Sequence, residues 1–377
     1  MNRTRRVLMI DRTSACFLVL SSMILVAGCA GTNNRAAGPE IDEPTIPATT
    51  RLDYRSAPEL PLAVSIAVFD YESPERSLTP IREAESGYMA VTLANALQNS
   101  GQWSGVHVLP VTSQYAEVQL RGSIVQSNAS RLNVLVEVID ARGEVWISRQ
   151  YRASVAGDAY SPGVPPETEV FAHLYHQIAN DLTEIQHKLA PSDRSEIRQV
   201  ALMRYAVGLA PDAFSSYLGM TESQDGVRFG LTGLPALDDP VFLQVGEILA
   251  REDSIVELID TQYRQFHRDL LGVYPYWRRY LHELSAETET RRRSSGGSWA
   301  ATEAVYRQYE EVRLNEDRLR VLTRSFKDES QSTSAELAGT VVELSGSLAQ
   351  QYLRWRELLQ RRFREDRGLP ADIDTAR

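Results

Sequence analysis

Cysteine is almost absent from this sequence. Of 377 residues only Cys16 and Cys29 are cysteines, and both precede Ala30. The rest of the chain therefore has no thiol for a disulfide, for a cysteine-ligated metal site or for a cysteine nucleophile. Its stability must come from the burial of apolar side chains, and a chain of this length has enough residues for two domains.

Basic residues are outnumbered by acidic ones. The chain has 40 basic residues against 50 acidic ones and a formal net charge of -10, so we do not expect a nucleic acid as a partner. Among the basic residues only Lys188 and Lys327 are lysines, which codon bias explains more simply than a need for bidentate arginine ion pairs. The sequence has no Walker loop, dinucleotide fingerprint or calcium loop, and we therefore predict no cofactor.

Histidines do not form a recognisable metal site. His173 and His176 lie one turn apart on a predicted helix, and His187 follows on the same helix. A zinc site needs three or four ligands that converge from more than one element, so we predict none here. His282-Glu283 lacks the second histidine of the H-E-x-x-H pattern, which argues against a metalloprotease.

Two short motifs approximate catalytic ones. Gly296 to Ala300 is similar to a nucleophile elbow, but it follows a run of arginines and serines and no strand, so Ser298 is predicted to cap a helix. Glu85-Ser86 is similar to the Glu-Ser pair of lytic transglycosylases but lacks the helical pattern around it. An exposed helix start is the preferred interpretation of Glu85, and we predict no catalytic residue.

Residues 1–28 are typical of a secretory signal, with a basic leader and an apolar run from Cys16 to Ala27 that is too short to span a bilayer comfortably. The run ends in Leu25-Val26-Ala27-Gly28-Cys29, which resembles the signal of bacterial lipoproteins. The resemblance implies cleavage before Cys29 and attachment there of lipid, including palmitate, which anchors the chain permanently. Ala30, rather than aspartate, then implies export to the periplasmic face of the outer membrane. The alternatives are an uncleaved anchor and an ordinary signal peptide.

Composition and periodicity divide the remainder into three parts. Residues 29–57 are rich in Gly, Pro, Thr and Asn, which predicts a flexible tether. Residues 58–190 read as strand, helix, strand, three-stranded meander and helix, which predicts an α+β domain with a mixed sheet of about five strands and two helices. Residues 191–377 are predicted to form an all-α helical bundle.

The α+β region carries a resemblance in Ile66-Ala67-Val68-Phe69, in Leu97 to Trp103, and in the meander pieces Gln119 to Ile124 and Val138 to Val145. These residues resemble the small domain shared by the curli-secretion lipoprotein, the amino-terminal domain of the Tol-system propeller protein and the lipoprotein activators of penicillin-binding proteins. The resemblance covers about a third of the chain, roughly residues 60–190, and none of its motifs is catalytic. It implies a domain that makes protein contacts.

In the bundle, Asp225 to Pro240 is predicted as a loop and Val241 to Leu271 as a long helix that breaks at Gly272 and Pro275. Two further helices, 299–327 and 335–367, each show one apolar seam and are joined by a short polar segment. This pattern predicts an antiparallel helical hairpin. The seams are interpreted as internal core, with a coiled-coil surface for a partner as the alternative.

Two groups of residues are candidates for a partner surface. Tyr274, Tyr276 and Trp277 surround the helix break, where core packing is the preferred explanation and recognition the alternative. Arg291, Arg292 and Arg293 form a dense basic cluster, which is typical of a solvated helix end but is also suited to an anionic partner.

These features predict a non-enzymatic, lipid-anchored adaptor or assembly protein of the outer membrane. The membrane, through the lipid on Cys29, and other envelope proteins are its expected partners, and homo-oligomerisation is compatible with the prediction. The alternative is cell-wall enzymology, either as a regulator of peptidoglycan synthesis or as a peptidoglycan hydrolase that uses Glu85. An export pore is disfavoured, because the meander alone offers alternating hairpins.

Overall fold

The computed structural model describes residues 45–71, 79–161, 163–165, 167–223, 226–293, 299–330, 332–337 and 340–368. All of them belong to one compact unit, Glu43–Arg377. The predicted signal peptide over 1–28 and the lipid attachment at Cys29 lie outside the described residues and stay predictions.

A mixed sheet is the first layer of this unit. Its strands are β1 (Ala63–Ala67), β2 (Asp70–Tyr71), β3 (Gly105–Leu109), β4 (Val118–Ser127), β5 (Arg131–Asp140) and β6 (Val145–Ser154). The order is β3-β1-β4-β5-β6, with the short β2 beside β4. β1 runs parallel to β3 and β4, whereas β4, β5 and β6 are antiparallel. The alternation Leu132, Val134, Val136, Val138 puts four fully buried side chains on one face of β5, as predicted.

Two helices, α1 (Thr79–Ser100) and α2 (Ala172–Lys188), pack against each other and against the sheet. Met89, Leu93 and Leu97 of α1 are fully buried, because spacings of four residues place them on one helix face. A mixed sheet flanked by these helices confirms the predicted α+β arrangement of strand, helix, strand, meander and helix.

The segment before β1 differs from the predicted tether. Ile46 and Leu52 are each only 8% exposed, and Ile46 N donates a hydrogen bond to Arg152 O of β6 at 2.8 Å. Further along, Asp53 N donates to Asn180 Oδ1 of α2 at 2.8 Å. The prediction of a flexible tether is therefore wrong for residues 45–57, because these few apolar side chains and backbone groups find partners on the α+β layer. Residues 29–44 lie outside the described part.

The carboxy-terminal region is largely helical, and α5 and α6 meet at the predicted break at Gly272. Asp239 caps α5 by accepting hydrogen bonds from Val241 N and Phe242 N, and Ser347 caps α8. The helices are α3 (Pro191–Leu209), α4 (Pro211–Phe214), α5 (Pro240–Leu271), α6 (Tyr274–Arg293), α7 (Trp299–Glu329) and α8 (Leu348–Glu365).

The prediction that this region is all-α is wrong at two β-hairpins. The first joins β7 (Leu218–Ser223) to β8 (Gly226–Leu231) and overlaps the predicted loop Asp225 to Pro240. It is held by the β5–β6 turn, where Phe229 N donates to Arg142 O at 2.8 Å. Gly143 of that turn has a φ of +84°, and any Cβ there would collide with the backbone of Val227. Docking against a turn distant in sequence thus fixes strands that the local pattern does not predict.

The second hairpin joins β9 (Ser332–Leu337) to β10 (Thr340–Ser345) and replaces the first third of the predicted helix 335–367. The predicted antiparallel hairpin of helices 299–327 and 335–367 is therefore wrong, because a β-hairpin lies where the second helix was predicted to begin. The apolar seam of the predicted helix 335–367 includes Val341 and Leu344, but Val341 is 71% exposed, whereas Leu344 is buried. The β-branched run from Thr340 to Val342 favours a strand, and its apolar spacing matched a helical period by coincidence. The rest of the seam is confirmed as core by Tyr352, Trp355, Leu359 and Phe363 of α8.

Buried apolar residues form one continuous cluster that includes β1, α1, α2, α3, α5, α6 and α8. α5 packs on α1 and β3, and α7 packs on α1. Within the described part of the chain, no helix combines the length and apolar character that a membrane crossing requires.

Candidate binding cleft

A cleft of about 650 Å³ lies between the sheet edge and the helical region. Residues of β1, β3, the connection from β3 to β4, α3, α5 and α8 line it. Its volume is within the roughly 300–1,000 Å³ of typical ligand pockets. Aliphatic groups such as Leu202, Leu249 and Val256 alternate around it with charged and hydroxyl-bearing side chains.

The position of α5 along β3 shapes the cleft. β3 is an edge strand, so one side of its backbone has no strand partner. The Asp260 carboxylate accepts a hydrogen bond from Val108 N at 2.7 Å, and the Arg264 guanidinium donates to Val106 O at 3.1 Å. Asp260 and Arg264 also pair at 2.6 Å. These contacts fix α5 beside β3 and so bring the preceding turns of the helix to the cleft.

A second ion pair joins α3 to the start of β1. Glu117 accepts a hydrogen bond from Ala63 N at 2.7 Å and pairs with Arg198 at 2.7 Å. Arg198 also donates to Pro61 O at 2.8 Å. Both charges of this pair are therefore already engaged within the protein, although both residues line the cleft.

Glu252 of α5 is a buried carboxylate at the cleft, with the residue 5% exposed. The Tyr352 hydroxyl donates to it at 3.0 Å, and Arg356 of α8 lies 3.5 Å away. Burial raises the pKa of Glu252, and Arg356 and the tyrosine hydroxyl groups offset that effect only in part. Arg356 also stacks over the Tyr115 ring at 4.6 Å, which holds α8 at this end of the cleft.

Two polar atoms of cleft-lining residues are buried without a hydrogen-bond partner, Ser65 Oγ and His107 Nδ1, whereas the Tyr205 hydroxyl bonds to the Glu252 carboxylate. Ser65 and His107 are register partners on the parallel strands β1 and β3. Tyr205 is 3% exposed, and burial together with the nearby Glu252 carboxylate raises its pKa. Because buried polar groups are normally hydrogen-bonded, we call Ser65 Oγ and His107 Nδ1 the two unpartnered groups of the cleft.

Asp253 and Glu257, one turn apart on α5, form an acidic rim. Both residues are exposed and line the cleft, and neither has an ion-pair partner among the described residues. Partial desolvation raises the pKa of Asp253, the charge of His107 opposes that effect, and Glu257 adds to it. The rim therefore presents two carboxylates of like charge at the open side of the cleft.

Sequence reasoning missed this cleft, although one signal was present. Glu252 interrupts the apolar stripe Val245, Ile248, Ile255 and Ile259 of α5, all of which are buried. A charged residue at such a position is either paired in the interior or faces a cavity. The helix alone does not say which.

Glu85 does not lie at an exposed helix start, so that prediction is wrong. It is 0% exposed and forms a cluster with side chains from α1, β4 and α6. Ser127 Oγ donates to its carboxylate at 2.6 Å, the Tyr274 hydroxyl at 2.8 Å and Arg278 at 3.4 Å, and Arg82 pairs with its other oxygen. We call these five residues the Glu85 cluster. The carboxylate is engaged on both oxygens, and its proton-transfer role in a hydrolase has no structural support.

The predicted partner surface on α6 is divided. Tyr274 and Trp277 are 1% and 6% exposed and belong to the core, in agreement with the core-packing interpretation. Tyr276 is half-buried. Arg291, Arg292 and Arg293 lie within α6, but their side chains fall outside the described part. Of these candidates, the described side chains Tyr274, Tyr276 and Trp277 do not line the cleft.

The histidines of α2 have separate surroundings. His173 is buried, His176 lies beside Thr50 O, and His187 Nε2 lies 2.7 Å from Gln102 Oε1. Among the described residues no group of three or more histidine, cysteine or acidic side chains is placed to hold a metal ion. Ser298 lies outside them.

No protein-family model and no curated protein matches this chain. A solved structure of a PelC dodecamer from Paraburkholderia phytofirmans, a single-substitution variant, is 17% identical in sequence. The match covers 37% of this chain and 97% of that one, with a TM-score of 0.23. A likeness at this TM-score carries no argument about this chain. The resemblance to the curli-secretion and Tol-system domains stays a prediction.

Proposed function

We propose that this chain is a lipid-anchored adaptor of the bacterial outer membrane, which binds envelope proteins on the periplasmic side and performs no catalysis. Cys29 carries the lipid, and the unit Glu43–Arg377 carries the binding surface. The localisation is supported by the lipoprotein-like signal that ends at Cys29.

The observation that carries the binding role is the cleft. It combines aliphatic surface, two unpartnered groups and an acidic rim, a composition suited to recognition of an amphipathic ligand. The hydrolase alternative assigned catalysis to Glu85, and the burial and full pairing of that carboxylate favour a structural role instead. A regulator of a peptidoglycan synthase is one form of the proposed adaptor.

The anchoring half of the proposal is tested by lipid labelling. Cells that express the full chain or Cys29→Ala are fed an alkyne-bearing palmitate, and their membranes are separated by density. We expect label and outer-membrane recovery for the unsubstituted chain only. Equal recovery of both proteins in the outer membrane would contradict anchoring through Cys29.

The binding half is tested by site-specific photocrosslinking in the same cells. A photoreactive residue replaces Leu249 in the cleft, and in a matched control it replaces Val321 of α7, which is 66% exposed and does not line the cleft. We expect a discrete adduct with an envelope protein from position 249 and none from 321. The adaptor role of the cleft is rejected if 249 gives no adduct, or if both positions give the same set.

A further inference from the structure

The charges around the cleft are not balanced. Arg198 is held by Glu117 and Pro61 O, and Arg356 is held by Glu252 and the Tyr115 ring. The acidic rim has no such counter-charge among the described residues. The charge that the cleft still offers to a ligand is therefore that of the two rim carboxylates, which is negative. His107, which lowers the pKa of Asp253, is the basic side chain beside them.

The two unpartnered groups require hydrogen-bond partners as well as charge. Ser65 and His107 are register partners on the parallel strands β1 and β3. A single small cation at the rim would leave both atoms without partners. A peptide backbone supplies a donor and an acceptor at each residue, so an extended segment is suited to satisfy both together.

The aliphatic lining supplies the third element. Leu202 and Leu249 line the same cleft as the acidic rim. Arginine and lysine bury their methylene stems on apolar surface while their charged ends reach more polar surroundings. A basic side chain therefore fits both the lining and the rim.

We propose that the cleft binds an extended segment of a partner protein that carries an arginine or lysine, whose cation pairs with Asp253 and Glu257. Main-chain groups of the segment hydrogen-bond to the two unpartnered groups. The inference rests on the proposed function, in that it names the chemistry of the ligand that an adaptor cleft recognises.

The test is selection of a phage-displayed library of random dodecapeptides on the full lipidated chain in detergent. A parallel selection uses the double variant Asp253→Asn/Glu257→Gln. A control uses Glu247→Gln/Asp269→Asn, which removes the same charge from exposed positions of α5 that do not line the cleft. We expect arginine or lysine to be enriched on the unsubstituted chain and on the control, and not on the rim variant.

Selected peptides are then synthesised with citrulline, the neutral isostere, in place of arginine. Removal of a charge pair at this partly exposed site is expected to weaken binding about tenfold. The loss should vanish on Asp253→Asn/Glu257→Gln, where the counter-charges are already gone. Equal affinity of arginine and citrulline peptides, equal loss in rim and control variants, or no enrichment of any peptide would overturn the inference.

Failure of this inference is distinguishable from failure of the proposed function. If position 249 crosslinks to an envelope protein in cells but selected peptides show no basic preference, the adaptor role stands and the cationic ligand is wrong. If free arginine amide competes as well as the peptides, the ligand is a small cation and the extended segment is wrong.

Discussion

Two buried glutamates of similar exposure lie in very different surroundings. Glu85, in the interior between α1, β4 and α6, is 0% exposed, and Glu252, beside the cleft, is 5% exposed. The carboxylate of Glu85 accepts from two arginines, a tyrosine and a serine, whereas Glu252 has two tyrosine hydroxyl groups, with Tyr352 at 3.0 Å, and one arginine at 3.5 Å. Glu85 therefore pairs with two arginines, and Glu252 pairs with one.

The difference shows how one residue type serves two purposes. In the Glu85 cluster one carboxylate pairs with two arginines and joins the α+β layer to α6, so the cluster contributes to the fold. At the cleft, burial raises the pKa of Glu252 despite its partners, which means that its charge is incompletely compensated. An incompletely compensated carboxylate is better placed near a ligand than in the interior.

The strongest test of this comparison is Glu85→Ala. Removal of one member of a buried charge pair leaves Arg278, 3% exposed, without its counter-charge, so we expect the free energy of unfolding to fall by about 3–5 kcal/mol. The measurement is urea unfolding followed by circular dichroism, with the midpoint and slope compared with those of the unsubstituted chain.

Glu83→Ala is the matched control for Glu85→Ala. Glu83 lies on the same helix and pairs at 2.8 Å with Lys327, whose side chain is 58% exposed. An exposed pair of this kind contributes about 0–1 kcal/mol. A loss at Glu85 no larger than that at Glu83 would contradict the structural role of the Glu85 cluster.

His267 tests whether an unpaired positive charge destabilises the region around the Glu85 cluster. It stacks on Tyr88, with ring centroids 4.7 Å apart, and burial, then the charges of Arg264 and Arg268, lower its pKa to about 4. The unfolded chain binds the proton near pH 6.5, so the stability contributed by neutral His267 is present above that pH and is lost as pH falls toward 4. The expected loss over this window is about 3 kcal/mol.

The measurement is the free energy of unfolding at several pH values between 7 and 4 for the unsubstituted chain and for His267→Phe. Phenylalanine keeps the ring stack but cannot titrate, so the slope with pH should decrease. His176→Gln is the control and should retain the slope. The prediction fails if the two variants show the same pH dependence.

Local patterns were sufficient for the α+β layer and for most of the helices. Alternation in β5 and helical spacing in α1 each depend on residues close in the chain, and the structure confirms both. The hairpin β9–β10 was missed because Val341, Leu344 and Leu348 match a helical period as well as they match a strand followed by a helix. Period alone does not separate these structures when a run is short.

Local sequence patterns do not predict the cleft, because contacts between residues far apart in the chain form it. The contact that positions α5, Val108 N to Asp260, joins residues 152 positions apart. In the sequence, Asp253 and Glu257 are indistinguishable from carboxylates on a solvated helix face. Whether these two carboxylates line a cleft depends on which strand edge α5 covers, and packing of the whole unit determines that. Glu85 was misjudged for the same reason, since Arg278 lies 193 positions away.

The smallest expected effect is that of Glu252→Gln. Glutamine keeps an acceptor for the Tyr352 hydroxyl and removes a charge whose burial is unfavourable, while Arg356 stays stacked on Tyr115. We therefore expect the free energy of unfolding at pH 7 to change by less than about 1 kcal/mol.

Because the folded pKa of Glu252 is raised, its contribution to stability is present at low pH and is lost as pH rises through that value. The variant should consequently gain stability relative to the unsubstituted chain between pH 4 and pH 8 in urea unfolding. Glu85→Gln, measured alongside, should lose several kcal/mol, because Arg278 is left buried without a counter-charge. Equal losses of unfolding free energy for the two glutamine variants would show that Glu252 is as much a part of the interior as Glu85. That result would contradict the distinction between the Glu85 cluster and the cleft.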